Sequence, residues 1–181
     1  SGNDGIYVTA TQSMVRAIGD AGLGIVFGGG NIGLMGVVAE TALASGGNVT
    51  GVTPRRLLER EMVHTGLTEL HVVESMHERK VMMAELSDAF IALPGGMGTL
   101  DEFFEMVTLN QLGVQSKPCG LLNVHGYYDH LYAFLGHAVK ARFINPAHRD
   151  MIVLDDDPRR MVTKLADWTM PQTSKWMDQQ R

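Results

Sequence analysis

The stretch Leu93–Glu105, LPGGMGTLDEFFE, leaves the chain few ways to fold. An apolar run, Ala89–Leu93, feeds a Pro-Gly-Gly turn. Gly98 and Thr99 then lead into an apolar-periodic helix carrying Asp101, Glu102 and Glu105. A buried strand, a glycine turn and a helix start, in that order, belong to α/β architecture. They also make an anion site, because glycine lets backbone approach a phosphate and the helix dipole favours negative charge. Glu102 does not fit such a cradle. It stands one turn beyond the phosphate position, badly placed to bind phosphate and well placed to act on a sugar attached to it.

The rest of the chain alternates in the same way. Tyr7–Ala21 has helical spacing at Val8, Val15 and Ile18, and Leu23–Phe27 is a continuous apolar run of the kind buried on both faces of a parallel sheet. Gly28-Gly29-Gly30-Asn31-Ile32-Gly33 follows, then a helix to about Ala44. Further strands are expected at Asn48–Val52, Leu70–Val73, Ala89–Leu93, Cys119–Val124 and Ile152–Leu154, with Arg55–Thr65 a charged short helix and loop. Helices are expected from the Ser75-x-x-Glu78 capping box to Leu86, and over Thr99–Leu112, Tyr128–Ala141 and Pro158–Ala166. The pattern predicts a Rossmann-like, doubly wound, mainly parallel sheet with helices on both faces, in a single domain over residues 1–166. Residues 167–181 read as a tail or a dimer contact. Such domains open with a buried strand, and here the chain opens with a loop and a helix, so that strand is expected upstream of Ser1.

Composition narrows the partners. Net charge is −5 over 181 residues, which gives no general basis for binding nucleic acid or a membrane surface. No run approaches the roughly 20 apolar residues of a membrane span. The one cysteine excludes an internal disulfide and suits a cytoplasmic protein. No HExxH or Cys-rich pattern marks a metal site. The glycine run matches GxGxxG, yet strand Asn48–Val52 ends Thr53-Pro54 without the acid that holds a dinucleotide ribose. Gly29 and Gly30 therefore either make a tight turn or line the pocket of a smaller nucleotide. Met76 and Met97 lie beside the candidate site and could touch a flat base.

Three residues invite opposite readings. Glu102 closes the capping box Thr99-x-x-Glu102, or it is catalytic. Arg79 and Lys80 each make a surface ion pair with a carboxylate, worth ~0–1 kcal/mol, or they reach a ligand at the carboxyl ends of the strands.

Pro94–Glu102 reads PGGxGTxxE and Met76–Lys80 reads MHERK. Together these resemble the LONELY GUY family, the cytokinin riboside 5′-monophosphate phosphoribohydrolases, long mislabelled lysine decarboxylases. The resemblance extends through Phe27–Met35, Gly46–Pro54, Glu61–Leu67, Leu86–Pro94 and Lys117–Tyr128. It implies hydrolysis of the N-glycosidic bond of a nucleoside 5′-monophosphate, without a cofactor, by a homodimer. It implies a catalytic pair, Arg79 and Glu102. Substrate contacts then fall on Glu61, Lys80, Gly95, Gly96, Met97, Gly98, Thr99 and Thr108. Oxocarbenium chemistry of this kind calls for a carboxylate. Decarboxylation of lysine would instead need a Schiff-base lysine with a pyridinium partner, and neither Lys80 nor Lys117 has that setting. The alternative is a non-catalytic nucleotide-binding module of the same fold.

Overall fold

In the computed structural model, residues 2, 5–58 and 63–171 are described. The chain forms two compact units, Ser1–Asp88 and Ala89–Arg181.

The first unit runs α1 (Gly5–Asp20), β1 (Ile25–Phe27), α2 (Leu34–Ala44), β2 (Val49–Pro54), α3 (Arg55–Leu58), β3 (Glu69–Val73) and α4 (Met76–Leu86). Its strands pair in the order β1-β2-β3, all parallel, with Ile25 opposite Val49 and Thr53 opposite Val72. The helical stripe expected on α1 is real: Met14, Val15 and Ala17 are buried, as are Val38, Ala39 and Ala42 of α2, and the two helices pack together. β2 runs two residues beyond the expected end. Pro54 lacks an N–H and is tolerated there because it closes the strand, opposite Val73. Gly36 permits the close approach of the glycine loop to α2, since a Cβ there would meet the Asn31 carbonyl oxygen at 2.5 Å.

The second unit runs β4 (Phe90–Ala92), α5 (Met97–Gln111), β5 (Cys119–Leu122), a 3₁₀ turn (Val124–Gly126), α6 (Asp129–Lys140), α7 (Pro146–Arg149), β6 (Ile152–Asp155) and α8 (Pro158–Ala166). Its strands pair β4-β5-β6, again all parallel. Phe103, Met106 and Val107 of α5, Leu121 and Leu122 of β5, and Met161 and Leu165 of α8 are buried. α8 lies so close to β5 that a Cβ at Gly120 would meet Met161 Sδ at 2.5 Å and Leu165 Cδ2 at 3.4 Å. α7 is absent from the sequence expectation, although its signal was there: Asn145 caps it, accepting from the Ala147 N–H at 2.9 Å, and Pro146 occupies the first helical position. Asn110 brackets the turn after α5, donating to the Lys117 carbonyl at 2.7 Å and accepting from the Lys117 N–H at 3.1 Å. Cys119 is buried beside it, and burial pushes its thiol up to about 12.

The strand expected upstream of Ser1 lies outside the described residues, as do residues 172–181 of the tail. β1 and β4 each have a neighbour on one side only among the described residues.

Asp155 ends β6 and anchors α8. Its side chain is buried, and accepts from Lys164 Nζ at 2.6 Å, Arg160 Nη2 at 2.9 Å and the Asp157 N–H at 2.8 Å. Burial alone would raise its carboxyl. The Lys164, Asp157 and Arg160 donors outweigh burial and hold it well below the usual carboxylate range. A depressed carboxyl stabilises the fold above its unfolded pKa and loses that contribution as pH falls. Asp155→Asn should therefore cost about 1–3 kcal/mol in urea denaturation at neutral pH, the scale of hydrogen bonds to a charged group. The difference from the wild type should shrink as pH drops below the unfolded value of 3.8.

Candidate active site

In each unit the features of interest lie at the carboxyl edge of its parallel sheet, where open α/β sheets bind ligands.

In the second unit, β4 ends at Ala92 and the loop Leu93–Gly96 leads straight into α5. The helix starts at Met97, with Gly96 as N-cap, two residues earlier than the sequence suggests. This overturns the capping-box reading of Glu102. Thr99 lies within the first turn instead of capping it, so Glu102 cannot be its reciprocal partner. Glu102 is half-buried in the second turn of α5, while Asp101 beside it is exposed. No side chain caps α5, whereas Ser75, Asn145 and Asp157 cap α4, α7 and α8. The first-turn N–H groups of α5 are thus open to an anion. Gly96, Met97 and Gly98 are exposed, Met97 at 85%. Gly95 is needed for space: a Cβ there would lie 2.8 Å from Thr99 Cβ and 3.1 Å from its Cγ2. Thr108 lies further along α5, exposed, with its hydroxyl donating to the Phe104 carbonyl at 2.7 Å.

Two tyrosines without a role in the sequence reading hold this loop. The Tyr127 hydroxyl donates to the Gly95 carbonyl at 2.7 Å, and the Tyr128 hydroxyl to the Leu93 carbonyl at 2.6 Å. Tyr128 is 2% exposed, and burial followed by its neighbour Tyr127 drives its hydroxyl pKa up, so it remains a donor at any ordinary pH. The rings meet edge to face, 4.9 Å between centroids. Gripping the Gly95 carbonyl also fixes the Gly96 N–H, which shares its peptide plane. The signal was the tyrosine pair just beyond β5, the strand next to β4; contacts 32 and 35 residues apart are not visible as a local pattern.

In the first unit, the glycine loop Gly28–Gly30 ends β1. Gly29 has φ +74°. Its carbonyl accepts from the His64 N–H at 2.9 Å, and Gly30 bridges to Val63. α4 begins with the expected cap: Ser75 accepts from the Glu78 N–H at 3.1 Å, and Glu78 returns a carboxylate to the Glu74 N–H at 3.1 Å. That first turn sets the direction of Arg79, the one buried residue of α4. Met76 Sδ lies 3.7 Å from Arg79 Nη1, and Lys80 is half-buried. Glu61 lies outside the described residues. No group of three or more potential metal ligands occurs among the described residues, and no helix there is long and apolar enough to cross a membrane.

Fold and site together define an α/β protein of the Rossmann type, with an anion-ready helix start and a carboxylate one turn inside it. Residues 35–165 match the family model described as possible lysine decarboxylase. Sequence relatives carry a different description. The chain is 50% identical over 152 residues to the cytokinin riboside 5′-monophosphate phosphoribohydrolase of Rhodococcoides fascians, covering 83% of this chain and 77% of that protein. It is 43% identical over 168 residues to the enzyme of the same name from Arabidopsis thaliana, covering 93% and 79%. The chain belongs to this family of phosphoribohydrolases. In fold it is similar to a molybdenum cofactor binding protein from Rippkaea orientalis, with TM-score 0.68 and 20% identity, covering 92% and 90% of the two chains.

Tyr128→Phe should leave the Leu93 carbonyl without its buried donor and lower stability by about 1–3 kcal/mol, read by urea denaturation. Tyr127→Phe, at a half-exposed ring, should change stability by less than half as much.

Proposed function

We propose that the protein hydrolyses the N-glycosidic bond of adenosine 5′-monophosphates, including N6-modified ones, releasing free base and ribose 5-phosphate. The observation that carries this reading is the match, at 50% and 43% identity over most of the chain, to enzymes named for that activity. This chain also has Arg79 and Glu102 where the family motifs require them.

The chemistry follows from those groups. The 5′-phosphate sits on the open N–H groups of Gly96–Thr99, and its binding energy orients the sugar. The C1′–N bond to the base breaks as positive charge develops on the sugar. Glu102 stabilises that charge and takes a proton from the water that adds to C1′; the leaving base is protonated in turn. Arg79 holds the ribose hydroxyls, with Lys80, Glu61 and Thr108 completing the ribose and base contacts. Met76 and Met97 touch the flat base. The reaction as written calls for no resident cofactor or metal.

We assign the protein to the cytoplasm as a homodimer. Its single cysteine can form no internal disulfide, which suits a reducing compartment. A second copy would cover exposed apolar side chains of the second unit such as Phe134 and Phe143, 61% and 86% exposed. Sedimentation equilibrium would read the dimer directly.

The test is release of base from AMP and from N6-isopentenyl-AMP, followed by chromatography. Wild type should release base from at least one. Glu102→Gln should lower kcat by about 10²–10⁴-fold, the range for a catalytic acid–base group. Arg79→Ala should also lower kcat. Wild type that binds AMP and releases no base would instead mark a nucleotide-binding module. Full activity in Glu102→Gln would remove the carboxylate from the mechanism.

A further inference from the structure

The glycine run after β1 is the one sequence motif to which the proposed chemistry gives little work. It looks like a dinucleotide fingerprint and lacks the acid that a dinucleotide needs. Its three glycines are also not equivalent. Gly29 has φ +74°, a conformation that favours glycine whatever surrounds it. Gly30 is pinned by its bridge to Val63. Gly28 has no such backbone requirement, since its φ lies outside the left-handed region. What it lacks is room. A Cβ built on Gly28 would fall on Arg79 Nη2, 2.8 Å from Cζ and 3.3 Å from Nε. The space of the missing side chain is filled by the guanidinium.

Both partners are buried, Arg79 at 9% exposure. The capped first turn of α4 aims the arginine, and Met76 Sδ lies 3.7 Å from Nη1. Arginine carries several rotatable bonds, and its planar fork works only when its orientation is fixed. We propose that Gly28 is the seat of Arg79: a positioning residue whose absent side chain sets where the guanidinium lies. The inference rests on the reading of Arg79 as catalytic, and it assigns the glycine run to the arginine in place of a nucleotide cradle.

The geometry separates this role from a purely structural one. At Gly36 an added methyl would strike backbone, the Asn31 carbonyl oxygen. At Gly28 it would strike the far end of a flexible side chain, which can swing away. Gly28→Ala should therefore fold and displace the arginine.

The experiment is a double-mutant cycle on the full chain: wild type, Gly28→Ala, Arg79→Ala and the double variant, each read by base release and by thermal denaturation. Gly28→Ala should lower kcat by about 10²-fold, the usual result of ~1 Å misplacement of a catalytic group, with KM little changed. In the Arg79→Ala background the same methyl enters an empty seat and should change neither kcat nor Tm. Wild-type kcat in Gly28→Ala overturns the proposal. So does an equal fall in Tm in both backgrounds. If Gly28→Ala alone fails to fold, folding of the double variant supports the seat, and failure of both overturns it. Should Arg79→Ala keep wild-type turnover, the catalytic reading of Arg79 falls; coupling in Tm then upholds the seat, and additivity removes it.

Discussion

Parallel pairing is the constraint on which the rest of this protein depends. Parallel strands cannot be joined by a tight turn, so a helix must carry the chain back after each one. Every helix that follows a strand then begins at the same edge of its sheet. In the first unit that rule places the Gly28–Gly30 loop and the start of α4 together. In the second it places the Leu93–Gly96 loop beside the turn after β5. Arg79 in the first turn of α4 and Glu102 in the second turn of α5 are where they are because of it.

Within that frame, small residues set the positions of larger ones. Gly28 makes room for the Arg79 guanidinium, and Gly95 makes room for the Thr99 side chain. In both cases a loop glycine at a strand end lies under the side chain of a residue in the first turn of a helix. The tyrosines act on the same loop by hydrogen bonding: two hydroxyls hold two carbonyls, and the peptide plane between Gly95 and Gly96 is fixed without any side chain of the loop itself. Glycine gives a loop freedom to approach a ligand and also freedom to wander, and distant donors restrain it.

Much of this was legible in the sequence. Apolar runs located the strands, and Ser75-x-x-Glu78 located the start of α4 within a residue, because capping and burial are local. The α5 start was misread because Thr99 resembles a cap, whereas Gly96 occupies that position with no side chain to announce it. The tyrosine grip was invisible because nothing in a local window links Tyr128 to Leu93. The same holds for Gly28 and Arg79, which lie far apart in sequence. Their relation is steric, and a glycine in sequence does not reveal whether its backbone or its neighbour requires it.

Cys119 has a practical consequence. The chain has one thiol, and it is buried at the start of β5 with its proton held to about pH 12. Thiol-reactive dyes attack thiolates, so the native protein presents almost no background to them. A cysteine placed at an exposed position such as Ser13 would be the only site to take a label. The protein thus comes ready for single-site fluorescence work without first being stripped of a native cysteine.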